Sequence, residues 1–276
     1  MDLFSKINYS DYADQHDLFS LLNIDKNFYG DVRRKHIHSA NYSVDSTITE
    51  AYPAELDDLV RIHYLIRKFK VITALEIGSG KSTVIIADAI KRNHHDYSSF
   101  VKKNLRKNNA FEVHSVETNQ HWADKVESSL QPELKPYIHM TVVGCRMATI
   151  NSRICTLFSD FPNICADFIY LDGPGQDCPS GDIDGISTSH PDRLPMVADL
   201  IRLEHFLLPG TIIVTDGRTA NARFMKENFQ LDWDYKHYVD FDQHVFINIS
   251  QPLGVYNKRE LDFKGISSKL EFTRPM

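Results

Sequence analysis

The sequence predicts an α/β protein whose mostly parallel sheet is covered by helices on both faces. Strand-like and helix-like runs alternate from about residue 70 onward, and the first strand ends in a glycine-rich turn that leads into a helix. The last two strands are joined too closely for a parallel crossover. With 276 residues, the chain is long enough to bury one substantial core.

The segment before this alternation is polar and aromatic up to about residue 50, and a helix is expected after it. Residues 54–69 place apolar side chains at helical spacing. In the preceding segment, His36 and His38 alternate as two metal ligands on a strand do, but no third ligand follows at a suitable spacing. We therefore expect no metal site there.

The alternating region contains a series of expected strands and helices. The strands cover residues 71–78, 111–117, 138–144, 166–173, 210–217, 233–241 and 244–250. The helices cover residues 82–92, 119–130, 193–207 and 220–229. Because only two residues separate the last two strands, these should form an antiparallel hairpin beside five parallel strands.

Two long polar segments interrupt the alternation. Residues 93–110 separate the first core helix from the second strand, and residues 175–192 follow the fourth strand. Loops of this length inside a compact domain are usually functional or disordered. The second segment leaves the carboxyl end of a central strand, where open α/β sheets bind ligands, so we expect it to act as a substrate lid or specificity loop.

Composition excludes several other classes of protein. The net charge of −6 argues against a chain built to coat nucleic acid. The sequence has no apolar run of transmembrane length and no signal-peptide pattern at its start, which makes the cytoplasm the expected location. The cysteines form no CxxC pair, so neither a zinc knuckle nor a disulfide framework is indicated; they are Cys145, Cys155, Cys165 and Cys178.

The stretch "LEIGSGKST" at residues 75–83 admits two interpretations. It ends in Gly-Lys-Ser, as the phosphate-binding loops of nucleotide hydrolases do. Such a loop needs a glycine five residues before the second one, and Leu75 occupies that position inside the apolar strand. The alternative is a tight turn in which Gly78 and Gly80 let a ligand approach the backbone at the start of a helix.

Two acidic residues support the tight-turn interpretation. Glu76 ends the first strand and can accept a hydrogen bond from a ligand amine or ribose. Glu117 ends the second strand, where an acid commonly binds the two ribose hydroxyls. Glu117 lies 37 residues beyond Gly80, and the polar segment 93–110 accounts for the long spacing.

Three motifs in this order resemble those of class I S-adenosylmethionine-dependent methyltransferases: "LEIGSGKST", "VETNQHWADKV" and "DFIYLDGP". The resemblance spans roughly residues 70–250. More narrowly, the motifs resemble those of a subgroup with GSGxST in the first loop and DGP after the fourth strand. It implies a Rossmann-like methyltransferase sheet of five parallel strands plus a C-terminal antiparallel hairpin, with helices on both faces. Residues 1–69 would then be a helical or irregular segment covering the cleft, and residues 251–276 a tail.

The same resemblance implies a set of residues that bind S-adenosylmethionine. The third strand departs from the family pattern because it ends in "VVGCRMA" without the polar or acidic residue that often holds the adenine amino group. Adenine recognition would then use the backbone near Cys145 and Arg146, or another side chain. The expected cofactor-binding residues are Glu76, Gly78, Ser79, Gly80, Ser82, Thr83, Glu117, Cys145 and Asp172.

The methyl acceptor of this family lies over the ends of the fourth and fifth strands, which carry Asp172 and Asp216. Both are expected catalytic residues, and with Asn221 they form a candidate Mg²⁺ site. Asp172 alone as a general base, or as a helix-capping or turn residue, is the alternative. The Asn-Pro-Pro-Tyr motif of amino-directed nucleic-acid methyltransferases is absent, which favours O-methylation of a small molecule or saccharide over a nucleic-acid substrate.

Two further hypotheses stay open at the level of sequence. One is a nucleotide-binding phosphotransferase or hydrolase that uses Lys81 and Asp172. The other is a non-catalytic methyltransferase-like binding protein, which would tolerate loss of Asp172 and Asp216. The aromatic N-terminal residues could cover the protein's own cleft or a partner subunit, so oligomeric state is left open.

Overall fold

A seven-stranded sheet forms the centre of the computed structural model, which describes residues 3–26 and 55–266. The strands within these ranges are β1 (Thr73–Ile77), β2 (Glu112–Glu117), β3 (Ile138–Val142), β4 (Cys145–Ile150), β5 (Arg153–Phe158), β6 (Phe168–Leu171), β7 (Ile212–Asp216), β8 (Trp233–Tyr238) and β9 (Gln243–Asn248). The α-helices are α1 (Tyr9–Gln15), α2 (Leu18–Leu21), α3 (Leu56–Lys68), α4 (Lys81–Asn104), α5 (Gln120–Ser129), α6 (Asp199–Leu203), α7 (Thr219–Asn228) and α8 (Gly254–Lys264).

The predicted fold class is confirmed. The strands lie in the order β3-β2-β1-β6-β7-β9-β8, and the first five are parallel. The pairs β7–β9 and β8–β9 are antiparallel. Strands β1 and β6 are buried along their whole length, as expected for parallel strands covered on both faces, whereas side chains of β8 alternate between more and less exposed.

Each face of the sheet has its own hydrophobic core. Successive side chains of a strand point to opposite faces, so Ala74 contacts the core that includes α3 and α4. Leu75 belongs to the second core, which includes β5, α6 and α7. Ligands of such sheets bind at the carboxyl ends of the strands, and the turns after β1, β2, β6 and β7 therefore define the edge that matters for function.

The prediction of a long loop at residues 93–110 is wrong, because α4 continues to Asn104 and has 24 residues. The polar residues have structural partners that the sequence does not reveal. The buried Asn93 side chain donates to the carbonyls of Ile66 (3.1 Å) and Val71 (2.8 Å). Two turns later, Val101 is buried in the same core, so one face of the extension is anchored.

Two other expectations fail near β5. No strand was predicted at residues 145–158, where β4 and β5 form a separate two-stranded antiparallel sheet. The helix predicted at 193–207 begins only at Asp199. Its first part is extended because Thr156 of β5 donates from its amide to the carbonyl of Met196 (2.9 Å) and accepts from the amide of Ala198 (3.0 Å).

The outer segments pack against the sheet and its helices. Tyr12 of α1 lies 2.8 Å from His63 of α3 (hydroxyl to Nδ1), and Phe4 packs edge-on against Tyr238 of β8. The C-terminal segment predicted as a tail contains α8. His36 and His38 lie outside the described residues, and the division into segments 1–69, 70–250 and 251–276 stays a prediction. Within the described ranges, none of the helices has the length and apolar character needed to cross a bilayer.

Candidate functional site

Two glycine turns touch at the carboxyl ends of β1 and β6. Gly78 has a φ of +94°, and a Cβ atom there would lie 2.7 Å from the amide nitrogen of Gly173. A Cβ atom on Gly173 would in turn lie 2.6 Å from the Cα of Gly78. Gly80 differs, because a Cβ atom there would meet only the Ser82 hydroxyl, at 3.9 Å. The first turn therefore requires glycine at 78, while the space beside Gly80 is open.

Glu76 fixes the start of α4 from inside the protein. Its carboxylate is fully buried and accepts hydrogen bonds of 2.6 Å from the hydroxyls of Ser82, Thr83 and Ser115. Burial raises the pKa of Glu76 to about 7, and the three hydroxyl donors oppose that shift. The side chains of Ser82 and Thr83 thus point inward, which leaves the backbone of the turn and of the first helical turn to face a ligand.

Glu117 lies at the end of β2 and faces the glycine turn. One carboxylate oxygen accepts from the amide and the hydroxyl of Ser79, both at 2.9 Å. The other accepts from the amides of Thr118 (2.7 Å) and Asn119 (3.0 Å). The two loops that follow β1 and β2 are therefore joined through one acidic side chain.

Asp172 and Asp216 lie at the ends of neighbouring strands. Leu171 of β6 pairs with Thr215 of β7, and each acid follows one residue later. Desolvation by the surrounding protein raises the pKa of Asp172, and the positive charge of Arg218 opposes this shift. Desolvation, followed by the negative charge of Asp172, raises the pKa of Asp216 to about 7. The two acids interact, as the sequence predicts for a shared edge.

Arg218 braces the turn that follows β6. Its guanidinium donates to the carbonyls of Asp172 (2.8 Å) and Pro174 (3.1 Å), and its Nε lies 3.5 Å from the Asp172 carboxylate. The peptide bond between Gly173 and Pro174 is cis. Among the described residues, the buried Nη1 atom of Arg218 has no hydrogen-bond partner. A donor therefore remains next to Asp172.

Two other predicted site residues have contacts of their own. The Asn221 side chain accepts from the amide of Val197 (2.9 Å) and donates to its carbonyl (3.1 Å). The carbonyl of Cys145 accepts from the amide of Ser180 in the long loop (2.9 Å), and burial raises the pKa of the Cys145 thiol to about 12. Asn221 thus binds the backbone of Val197, which lies beside β5. Cys145 links β4 to the loop at residues 175–192.

Further acidic residues act on the two aspartates at this edge. Glu55 raises the pKa values of both Asp172 and Asp216, and Asp242 adds to the effect on Asp216. The fully buried Arg61 lowers the pKa of Asp216. Arg61 also pairs with Asp58, one turn earlier on α3, so its charge is shared between that carboxylate and the edge of the sheet.

Replacing Asp172 with asparagine is expected to lower the pKa of Asp216 from about 7 toward its ordinary value, because one negative neighbour is removed. The pKa of Asp216 is higher in the folded protein than in the unfolded chain. Its contribution to the free energy of unfolding is therefore fully present below about pH 4 and is lost as the pH rises through about 7. Carboxyl ¹³C NMR titration measures the shift. Asp234→Asn removes the same charge from an exposed position and should leave the pKa of Asp216 unchanged. An unaltered pKa of Asp216 in Asp172→Asn would contradict the coupling.

A cavity of about 650 Å³ lies elsewhere in the molecule. It is lined by seven residues of α4 between Asp88 and Ser98 together with His16, Arg67 and Tyr137. Tyr137 precedes β3, so the cavity is near the amino ends of the strands rather than the edge that carries the glycine turns. It contains both basic and acidic side chains and shares no residue with the predicted site.

No protein-family model matches the chain, and no curated protein matches it either. Solved structures with a similar outline include the O-methyltransferase TomG from Streptomyces achromogenes, in complex with SAM: 12% identity, 90% of this chain and 92% of that chain covered, TM-score 0.41. The Bacillus cereus O-methyltransferase in complex with SAH is 13% identical, with 86% and 98% covered and a TM-score of 0.40. SAH-bound PaMTH1 from Podospora anserina is 11% identical, with 79% and 94% covered and a TM-score of 0.41. We therefore argue function from the side chains of this chain.

Proposed function

We propose that this chain is an S-adenosylmethionine-dependent methyltransferase. The observation that supports it best is the acidic edge of the sheet, where Glu117, Asp172 and Asp216 surround the contact between two glycine turns. S-adenosylmethionine carries a sulfonium and an ammonium cation, which carboxylates attract. A nucleotide triphosphate carries several negative charges, which the same carboxylates repel.

Each part of the cofactor has a matching group at this edge. The positive end of the α4 dipole suits the methionine carboxylate. Glu117 suits the ribose hydroxyls, which would replace its contacts to Ser79. The close approach of Gly78 and Gly173 leaves backbone rather than side chains beside the ligand. Cys145 and its neighbours stay the proposed contact for adenine.

The nucleotide-hydrolase alternative has less support. Leu75 lies inside β1 and is 1% exposed, so the chain has no wide loop where a phosphate-binding loop would begin. Lys81 is an exposed residue at the first position of α4. The Gly-Lys-Ser-Thr sequence therefore coincides with a tight turn and a helix start.

The proposed reaction is O-methylation of a small molecule or saccharide. A carboxylate whose pKa is about 7 can accept a proton at neutral pH, which suits Asp216 as the general base. The acceptor hydroxyl would give its proton to Asp216, and its oxygen would attack the methyl carbon. The carbon–sulfur bond breaks and its electron pair goes to sulfur, which converts the sulfonium into a neutral thioether. The Asp172 side chain, which is 54% exposed, would orient the acceptor.

The three predicted Mg²⁺ ligands do not suit a metal site as they are arranged. Asp172 is paired with Arg218, and the side-chain oxygen of Asn221 accepts from Val197. Only Asp216 would be available without a rearrangement of its neighbours. Our proposal therefore has no step that uses Mg²⁺, and an acceptor screen run with and without EDTA tests that choice.

Calorimetric titration with S-adenosylhomocysteine is the first experiment. We expect micromolar binding, weakened about 10–100-fold by Glu117→Ala, because charge-assisted hydrogen bonds to the ribose contribute roughly 1.5–3 kcal/mol. The matched control is Lys81→Ala, at the start of α4, which should change the affinity less than about threefold because surface charges contribute little. Thermal unfolding of both variants shows whether the loop stays folded.

The opposite pattern would overturn the proposal. Binding of ATP with Mg²⁺, lost in Lys81→Ala and kept in Glu117→Ala, would favour the nucleotide hydrolase. Binding of S-adenosylhomocysteine without turnover of any acceptor would leave a binding protein. In that case Asp172→Ala and Asp216→Ala should keep the affinity for the ligand.

A further inference from the structure

We infer that His237, Asp242 and His244, at the closed end of the β8–β9 hairpin, form a binding site for a Zn²⁺-type ion. His237 and His244 face each other across the hairpin, in register. Their rings stack with centroids 3.9 Å apart and planes inclined by 19°. Asp242 precedes β9 and completes a group whose ligand atoms lie within 4.8 Å of one another.

The candidate ligand atoms lie close together. The Oδ1 atom of Asp242 lies 3.3 Å from Nε2 of His237 and 3.8 Å from Nε2 of His244. Tetrahedral Zn²⁺ with bonds of about 2.0–2.1 Å separates its ligands by roughly 3.3–3.4 Å. The two distances from Asp242 are close to this spacing, and the stacked rings would turn about their side-chain bonds to direct both Nε2 atoms at the ion.

A hydroxyl oxygen adds a fourth polar atom at the same place. Thr219 Oγ1 lies 2.7 Å from Oδ1 of Asp242 and 2.9 Å from Nε2 of His244. When His244 carries its proton on Nδ1, Nε2 and the Asp242 oxygen are both acceptors, and the single hydroxyl hydrogen of Thr219 can serve only one of them. An ion would satisfy both acceptors at once, and the hydroxyl could then bond to Asp242.

The surroundings orient the buried ligand. The Tyr235 hydroxyl lies 3.0 Å from Nδ1 of His244, the nitrogen that faces away from Asp242. When Nδ1 donates to this hydroxyl, the lone pair of Nε2 points toward the site, which is how metal-binding histidines are usually held. The His244 side chain is completely buried, whereas Asp242 is 56% exposed and gives an ion a path from solvent.

The donor set selects the kind of ion. Two imidazoles and one carboxylate suit Zn²⁺ and neighbouring first-row metals, whereas Mg²⁺ prefers oxygen ligands. Three protein ligands would leave one coordination position for water. The site adjoins the end of β7, since the amide of Gly217 donates to the carbonyl of Asp242 (3.0 Å). An ion would therefore connect the hairpin to the start of α7.

A second group among the described residues provides a comparison. Glu112, His114 and His139 also lie close together, on β2 and the edge strand β3. There the Glu112 oxygen already accepts from Asn109 (2.8 Å), and His139 is 51% exposed. The hairpin group has the more buried histidine and the better-held ring, and we therefore choose it.

Titration of the tag-free full chain with Co²⁺, followed by displacement with Zn²⁺, tests the site through visible absorption bands. We expect His237→Gln to remove one equivalent of bound Co²⁺ and His114→Gln to leave it in place. Tyr235→Phe should keep the site but weaken its affinity about 10–100-fold. Zn²⁺ should also raise the unfolding temperature of the wild type more than that of His237→Gln.

His237 is partly exposed, so its variant should fold, and thermal unfolding without metal checks this. Three outcomes would overturn the proposal: no Co²⁺ binding to the wild type, unchanged stoichiometry in His237→Gln, or loss of the ion in His114→Gln alone. Binding of two equivalents, one of them lost in His237→Gln, would support it.

Discussion

Gly78→Ala is expected to lower the free energy of unfolding by about 2–4 kcal/mol. A residue with a side chain at a φ of +94° is strained by roughly 1–3 kcal/mol. The new Cβ would also lie 2.7 Å from the amide nitrogen of Gly173, and this neighbour is backbone that cannot rotate away. The turns after β1 and β6 would have to separate.

Gly80→Ala, two residues along the same turn, is the matched control. Gly80 has an extended backbone with a φ of −178°, and a Cβ atom there meets nothing closer than 3.9 Å. The same chemical change should therefore be neutral or stabilise by up to about 1 kcal/mol, because alanine restricts the unfolded chain.

Urea unfolding followed by circular dichroism measures both variants, with the slope against denaturant as a check for two-state behaviour. Gly173→Ala should cost less than Gly78→Ala, since it creates the same collision from the opposite side without the strain of a positive φ. Equal stabilities for Gly78→Ala and Gly80→Ala would show that the two turns are not held in contact.

The sequence predicts the sheet well because burial on both faces produces continuous apolar strands, and β1 and β6 have that pattern. It fails where polar residues have distant partners. Asn93 indicates a loop in isolation, yet it is buried against two carbonyls near the end of α3. Similarly, residues 196–198 continue a helical pattern but pair with β5, a contact that no local signal predicts.

The site follows the same rule. Acids at strand ends are visible in the sequence, so Glu117, Asp172 and Asp216 could be selected before the fold was known. Their neighbours could not, because Arg61 and Asp242 come from α3 and the β8–β9 connection. The buried hydroxyl contacts of Glu76 involve Ser115 on the adjacent strand, which depends on strand order. The sequence reveals the ends of elements, and the topology decides which of them meet.

A buried ion network at the opposite end of the sheet provides the second large effect. Asp167, just before β6, is 3% exposed and accepts from the amides of Ile72 (3.0 Å) and Thr73 (2.6 Å). The ammonium group of Lys264, the last residue of α8, lies 2.7 Å from the same carboxylate. Lys264 also contacts Glu260 of the same helix at 2.7 Å. Its ammonium group therefore links α8 to Asp167 beside the sheet.

Lys264→Ala is expected to destabilise the protein by roughly 3–5 kcal/mol, because it leaves the Asp167 carboxylate buried without its nearest cation. The exposed Lys258 lies on the same helix, and Lys258→Ala should change stability by less than about 0.5 kcal/mol. Urea unfolding at neutral pH measures both. A loss below about 1 kcal/mol in Lys264→Ala would contradict this prediction and would mean that Lys107 alone compensates the charge of Asp167.

The pH dependence distinguishes a lost ion pair from lost packing. Burial alone would raise the pKa of Asp167. The charges of Lys264 and Lys107 lower it by a larger amount, so the pKa of Asp167 is below its ordinary value. Asp167 therefore stabilises the fold above its unfolded pKa of about 3.9, and this contribution is lost as pH falls through the folded pKa. In Lys264→Ala the folded pKa rises, so the stability difference from wild type should shrink at acidic pH; a packing defect would stay constant.

Because this network lies at the amino ends of the strands, the same variant also separates stability from ligand binding. Asp167 accepts from residues that begin β1, whereas Gly78 and Glu117 follow the ends of β1 and β2. Folded Lys264→Ala protein should therefore bind S-adenosylhomocysteine with wild-type affinity at temperatures well below its unfolding transition. Glu117→Ala should instead lose affinity at temperatures where thermal unfolding shows the variant to be folded, and the pair of variants would place the proposed site at the carboxyl edge of the sheet.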